Sequence, residues 1–330
     1  MSSGGAAVQS SWATTRERGA LVLMRLAVIG LKLLSRPLTV PIVHVVTLYF
    51  FLFGRRARAN SRDYLRRIAR EAPESGLTPT WRCSYRHFVA FAHSILDKLN
   101  AWSGRLEYRD IAFENHEALR SAASTGRGVL VLGSHLGNLE VCRALAWLNR
   151  RVRLNVLVHT RHAAYFTRML AMAGASQVEL LQVTDFSAAT ALMLRERIDR
   201  GEWVVIAADR VPVHGGRTVD VRFLGGIAPL PVGPYVLAAL LDCPVHLLFC
   251  LRRSGRNHVY FELFTERFAW DRSERDALLE REAQRFADRL AHYVRLEPLQ
   301  WFNFYPFWRD NAPEVSAGSR AGAQREGGRP

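Results

Sequence analysis

The chain has 330 residues, 49% of them hydrophobic, with 45 basic against 30 acidic side chains and a formal net charge of +15. That length and a charged fraction of 23% exclude a peptide, a single small module and a wholly disordered chain. Four cysteines (Cys83, Cys142, Cys243, Cys250) show no CxxC spacing, are too sparse for a disulfide framework, and read as reduced thiols. All basic residues except Lys32 and Lys98 are arginine, and the excess of positive charge calls for an anionic partner: nucleic acid, a membrane surface or an acidic protein.

Residues 1–19 are small and polar and read as a loose tail. Two apolar runs follow, LVLMRLAVIGLKLL (21–34) and LTVPIVHVVTLYFFLF (38–53). The second is shorter than the ~20 residues a helix needs to span a bilayer, and it carries Pro41 and His44. In the first, Arg25 and Lys32 share one helical face and apolar residues fill the others, the pattern of a helix lying in a membrane interface. Arg55, Arg56, Arg58, Arg62, Arg66, Arg67 and Arg70 come next, and such a basic stretch beside apolar sequence suits an anionic cytoplasmic leaflet. The competing reading is a buried hairpin of core helices with a solvated basic face. Nucleic acid fits less well, because no zinc-finger, RNP or KH pattern is present.

Residues 81–102 have helical apolar spacing through Phe88, Phe91, Ile95, Leu96 and Leu99. An alternation then begins: helix 117–124, strand 129–133, helix 138–148, strand 152–158, helix 163–172, strand 178–183, helix 186–199 and strand 203–207. An irregular stretch leads to a helix near 234–241, strands 245–251 and 258–264, and a long helix near 274–295. The alternation predicts an α/β fold, a mostly parallel central sheet with helices on both faces, joined to the N-terminal apolar arm. Residues from about Asn311 onward have the composition of a disordered tail.

Parallel sheets place ligands outside the carboxyl ends of their strands. That rule selects Gly133-Ser134-His135-Leu136-Gly137-Asn138-Leu139-Glu140, His159–Arg161, Thr184-Asp185 and Asp209-Arg210. On a continuous helix His135 and Glu140 would stand about 140° apart. They can meet if His135 lies on the turn and Glu140 in the first turns of the helix. Glu140 would then accept a hydrogen bond from one imidazole nitrogen and raise the basicity of the other. Such a pair suits direct removal of a proton from a hydroxyl. Taken alone, the pattern is more often that of a satisfied loop histidine and a glutamate facing a helix dipole. The sequence holds no G-x-S-x-G, no H-E-x-x-H, no G-x-G-x-x-G and no Walker motif, so it predicts no metal and no nucleotide or other cofactor.

The segment GVLVLGSHLGNLE (128–140) resembles the H-x4-D/E block of glycerolipid-type acyltransferases, most of all the lipid A biosynthesis (late lauroyl and myristoyl) acyltransferases. VLVHTRHAAYF resembles the family's second block, with Arg161 in the arginine position. Residues 204–245 resemble its third region, with Asp209 after a strand, Val-x-Phe-x-Gly ending at Gly225, and Pro-x-Gly-Pro containing Gly233. PLQWFNFYPFW (298–308) resembles its C-terminal box. Arg210 stands where such enzymes often have glutamine, and Phe307 where they have arginine.

The resemblance implies transfer of a fatty acyl chain from an acyl carrier protein or acyl-CoA thioester, as co-substrate, to a hydroxyl of a lipid or glycolipid. It implies catalysis by His135, Glu140, Arg161 and Asp209, and substrate binding by Ser134, Asn138, Arg210, Gly225 and Gly233. His135 would be the general base, Glu140 its orienting partner, Arg161 an oxyanion donor, and Asp209 a residue that positions a loop or the acceptor. The implied domains are a flexible tail (1–19), a membrane-associated arm (20–58), an acyltransferase domain (59–310) and a disordered tail (311–330). The implied location is the cytoplasmic face of a bacterial inner membrane, with an anionic membrane surface and an acidic carrier protein as partners. The acceptor stays open between a lipid A-type molecule and a phosphatidylinositol mannoside, an ornithine lipid or a polyene-type lipid. A non-catalytic membrane- or carrier-binding protein on the same fold is the alternative from another class.

Overall fold

The computed structural model describes residues 36–102, 111–138, 152–158, 178–182, 187–212, 215–268 and 273–309. Two helices lead in. α1 (Arg36–Phe53) has Pro41 in its interior, and α2 (Arg55–Glu71) leaves it at 94°. The break falls at Gly54, whose N–H bonds to the carbonyl of Phe50. A Cβ on Gly54 would stand 2.5 Å from that oxygen, so the elbow requires glycine. Arg58 reaches back to the carbonyls of Phe51 and Leu52, giving partners to acceptors that a helix end leaves bare. α3 (Trp81–Trp102) packs against α1, with Phe51 edge-on to Trp81, Tyr85 and Phe88.

α1 therefore buries Val43, Thr47 and Phe51 while its other faces stay open; Val45 is 68% and Phe53 72% exposed. Among the described residues no single helix is long and apolar enough to cross a membrane, although α1 and α2 pass that test together by length and composition. α2 turns a different face inward. Tyr64, Leu65 and Ile68, at helical spacing, are fully buried, and its arginines line the remainder.

The sheet has seven strands among the described residues, β1 (Ile111–Phe113), β2 (Leu130–Gly133), β3 (Leu154–Val158), β4 (Val178–Gln182), β5 (Trp203–Ala207), β8 (Val245–Arg253) and β9 (Arg256–Thr265), in the order β1-β9-β8-β2-β5-β3-β4. Every pairing is parallel except the β8–β9 hairpin. β2 and β5 lie side by side at the centre, with Gly133 opposite Ala207. Both are buried on two faces and so read as continuous apolar runs rather than as alternations.

Between these strands run α4 (His116–Ser124), capped by the Asn115 side chain, α5 (Ala188–Asp199), capped by Ser187, α6 (Gly233–Leu241) and α7 (Arg275–Leu296). Leu130, Leu132, Val204, Ile206, Leu247 and Phe249 face the larger core with α2, α6 and α7; Val131, Val205, Leu248 and Cys250 face a smaller core under α4. The period of two thus sends neighbouring strand residues to opposite layers, as expected of a sheet covered on both sides. Each fully buried Leu or Ile contributes about 1.5–3 kcal/mol.

Two elements differ from the sequence reading. The stretch read as irregular contains an antiparallel hairpin, β6 (Thr218–Phe223) and β7 (Gly226–Pro231), and β1 is a strand of three residues that pairs with β9. The helices expected at 138–148 and 163–172 lie outside the described residues, apart from Asn138. A polar chain crosses the core between α2, α3 and the segment after α7. Ser84 Oγ meets Ser61 Oγ at 2.9 Å, Ser61 Oγ meets His87 Nδ1 at 3.0 Å, and His87 Nε2 meets the Trp301 carbonyl at 3.0 Å. Because a carbonyl only accepts, Nε2 carries the proton and Nδ1 accepts from Ser61. Burial pushes His87 down to about 4.

Candidate active site

His135 and Asp209 occupy equivalent places. Each stands two residues beyond the end of its strand, β2 or β5, and the two strands are neighbours in register. The Ala208 N–H donates to the Gly133 carbonyl at 2.9 Å and carries the pairing one step past the sheet. Asp209 then holds His135 at two points. Its Oδ2 accepts from the His135 backbone N–H at 2.8 Å, and its Oδ1 accepts from Nδ1–H at 2.8 Å. The carboxylate is 1% exposed and the imidazole 40%. Burial pushes the Asp209 carboxyl up, but the His135 charge and hydrogen bonds, helped by Arg210, outweigh it and leave it below the usual carboxylate value. An ionised partner on Nδ1 fixes the tautomer and leaves the Nε2 lone pair available.

The turn that carries His135 is itself held in place. Leu136 is buried and forms an antiparallel bridge with Trp301. The Gly137 N–H donates to the Gln300 carbonyl at 2.8 Å, and the Asn138 N–H to the Cys250 carbonyl at 3.0 Å. Gly137 has φ +67°, and a Cβ there would stand 1.8 Å from the Cys250 oxygen, so no other residue fits. The imidazole is thus oriented from the backbone as well as from the carboxylate.

Around the pair, Ser134 is buried and its Oγ accepts from the Leu136 N–H at 3.3 Å. Asn138 is buried at the end of the same turn. Arg210 donates Nη2 to the Phe302 carbonyl at 2.7 Å and lies 5.3 Å from the centre of the Tyr305 ring. Gly225 forms the β6–β7 turn, packed against Glu71 of α2. Gly233 opens α6. Glu140 and Arg161 lie outside the described residues, as do Thr184 and Asp185. The sequence reading gave the bond from the imidazole to Glu140; the position at Nδ1 is taken by Asp209, a carboxylate that the sequence reading assigned to a loop or the acceptor. The aromatic box is core: Trp301, Phe302, Phe307 and Trp308 are buried, and Trp308 Nε1 donates to the Phe223 carbonyl.

Burial raises the Cys83 thiol, pushes Cys243 up to about 12 and raises Cys250 further, so these thiols are inert at neutral pH. Among the described residues no three His, Cys, Asp or Glu side chains are gathered to hold a metal ion.

The arrangement defines an α/β protein with a carboxylate-held imidazole at the carboxyl edge of a parallel sheet. A family model, that of bacterial lipid A biosynthesis acyltransferases, matches residues 11–310, and the chain belongs to this family. It is accordingly an acyltransferase of the lipid A type. A comparison with curated proteins found no match.

Proposed function

We propose that the protein moves a fatty acyl chain from an acyl carrier protein or acyl-CoA thioester to a hydroxyl of a lipid A-type glycolipid, with His135 as general base and Asp209 as the residue that orients it. The observation that supports this most is the two-point grip of Asp209 on His135. Nε2 takes the proton of the acceptor hydroxyl as its oxygen attacks the thioester carbonyl. The tetrahedral oxyanion collapses, the C–S bond breaks, and the thiolate leaves with the proton from the imidazolium. Arg161 is proposed as an oxyanion donor and Glu140 as a second carboxylate bearing on the imidazolium charge. No covalent acyl-enzyme is needed, in keeping with the buried Ser134 and the inert thiols.

The apolar faces of α1 and the arginines of α2 support attachment to an anionic membrane surface, at the cytoplasmic face of a bacterial inner membrane where acyl thioesters are made. The same positive charge suits an acidic carrier protein. Mass spectrometry of total lipids from a deletion strain, the complemented strain and a strain carrying His135→Ala tests the reading. One lipid should lack a single acyl chain in the deletion and His135→Ala strains and regain it on complementation. A phosphatidylinositol mannoside, ornithine lipid or polyene-type lipid in that place would change the acceptor and keep the chemistry. Identical lipid profiles in all three strains would overturn the proposal.

A further inference from the structure

Asn303 is 1% exposed, and among the described residues neither its Oδ1 nor its Nδ2 has a hydrogen-bond partner. Buried amides are nearly always paired, so one with both ends empty demands a reason. The result does not depend on which way the amide is turned, since both positions are unpaired.

Its place in the chain supplies the reason. The segment from Gln300 to Tyr305 is the wall against which the His135 turn is built: Gln300 accepts from Gly137, Trp301 bridges Leu136, and Phe302 accepts from Arg210. Tyr305 packs on the same arginine. Asn303 sits between the two residues that hold Arg210, which itself follows Asp209. Phe302 and Phe304 turn their rings onto α3, against Phe91 and His87. In the run from Trp301 to Phe304, Asn303 is the residue whose side chain can both give and accept hydrogen bonds. A second unpaired group, the Tyr235 hydroxyl on α6, is fully buried; burial raises its pKa, and the charges of Glu282 and Asp209 add to that.

We propose that Asn303 binds the acceptor, its carboxamide giving one hydrogen bond to and taking another from the hydroxyl-bearing head group beside His135. The chemistry of the amide selects this ligand. A thioester carbonyl or a phosphate oxygen only accepts, and would leave the amide oxygen empty. Hydroxyls both give and take, and satisfy both ends.

The inference rests on the acyl-transfer reading above, and the experiment separates the two. Asn303→Leu keeps size and removes both polar atoms. Purified wild type, Asn303→Leu and His135→Ala are given labelled lauroyl or myristoyl thioester and dispersed lipid from the deletion strain, which carries the natural acceptor. Acyl transfer to lipid and thioester hydrolysis by water are measured together, with the thermal midpoint of each protein. For Asn303→Leu the ratio of transfer to hydrolysis should fall at least tenfold, through a raised KM for lipid, at an unchanged or raised midpoint. An unchanged ratio, or a midpoint lowered by several degrees, overturns the inference and makes Asn303 a structural residue. If Asn303→Leu does not fold, Asn303→Ala is read by the same ratio. Undiminished transfer by His135→Ala would overturn the acyl-transfer reading itself; loss there with no change at residue 303 overturns the role of Asn303 alone.

Discussion

Replacing Asp209 by asparagine tests the orienting bond with the least change in shape. Asp209 accepts from two N–H groups of His135, each at 2.8 Å. An asparagine has one acceptor oxygen and one NH2, so however it turns, one of those donors faces another donor. One charge-assisted hydrogen bond, about 1.5–3 kcal/mol, is lost, which misplaces the imidazole or favours its other tautomer. At 1.36 kcal/mol per tenfold, this alone costs roughly ten- to a hundredfold in rate. Loss of the anion that stabilises the imidazolium adds to it, so kcat should fall by about 10²–10⁴. Release of thiol from a lauroyl thioester in the presence of acceptor lipid measures the rate, and circular dichroism shows whether the fold persists. An Asp209→Asn protein that folds and keeps more than about a tenth of the wild-type kcat would refute the orienting role.

Two further expectations follow from groups away from the site. His87 is held neutral, with its pKa lowered by burial to about 4 in the fold against an unfolded value near 6.5. The unfolded chain therefore binds the proton first, and stability is full above about pH 6.5 and lost as pH falls toward 4; urea unfolding between about pH 7 and pH 5 should lose roughly 2 kcal/mol, a loss that His87→Gln should remove. On α1, Val45→Glu with Phe53→Glu places charges on the two most exposed large apolar positions among the described side chains of the helix. Co-sedimentation with anionic vesicles should drop at least about tenfold, since each apolar side chain withdrawn from lipid is worth on the order of 1.5–3 kcal/mol. Unchanged binding would refute a membrane-facing role for α1.

The alternation of strands and helices was legible because buried parallel strands such as β2 and β5 are plain apolar runs bounded by glycine or charge. The β6–β7 hairpin was not, because GGIAPLP carries two prolines and a glycine pair that mask a strand which pairs along one edge. His135 was found from its own neighbourhood. Its partner was not: sequence proximity pointed to Glu140, whereas the bond to Asp209 spans 74 residues and depends on β5 lying next to β2, a matter of strand order. A signal was present in the shared offset, since both residues stand two places after a strand, but it acquires meaning only once those strands are known to be neighbours. Asn303 was hidden for a related reason. Its sequence context is aromatic, and only the accounting of buried polar atoms separates it from Trp301 and Phe302.

The run Gln300–Trp308 fastens distant parts of the molecule: Gln300 to the His135 turn and to Arg252, Trp301 to His87, Phe302 to Arg210, Phe304 to Asn60, and Trp308 to Phe223. A ribosome has made both members of the His135–Asp209 couple long before it reaches these nine residues. A nascent chain, or one cut short by a premature stop, therefore holds the reactive groups without the brace that aims them. The braced pair is therefore complete only late in synthesis.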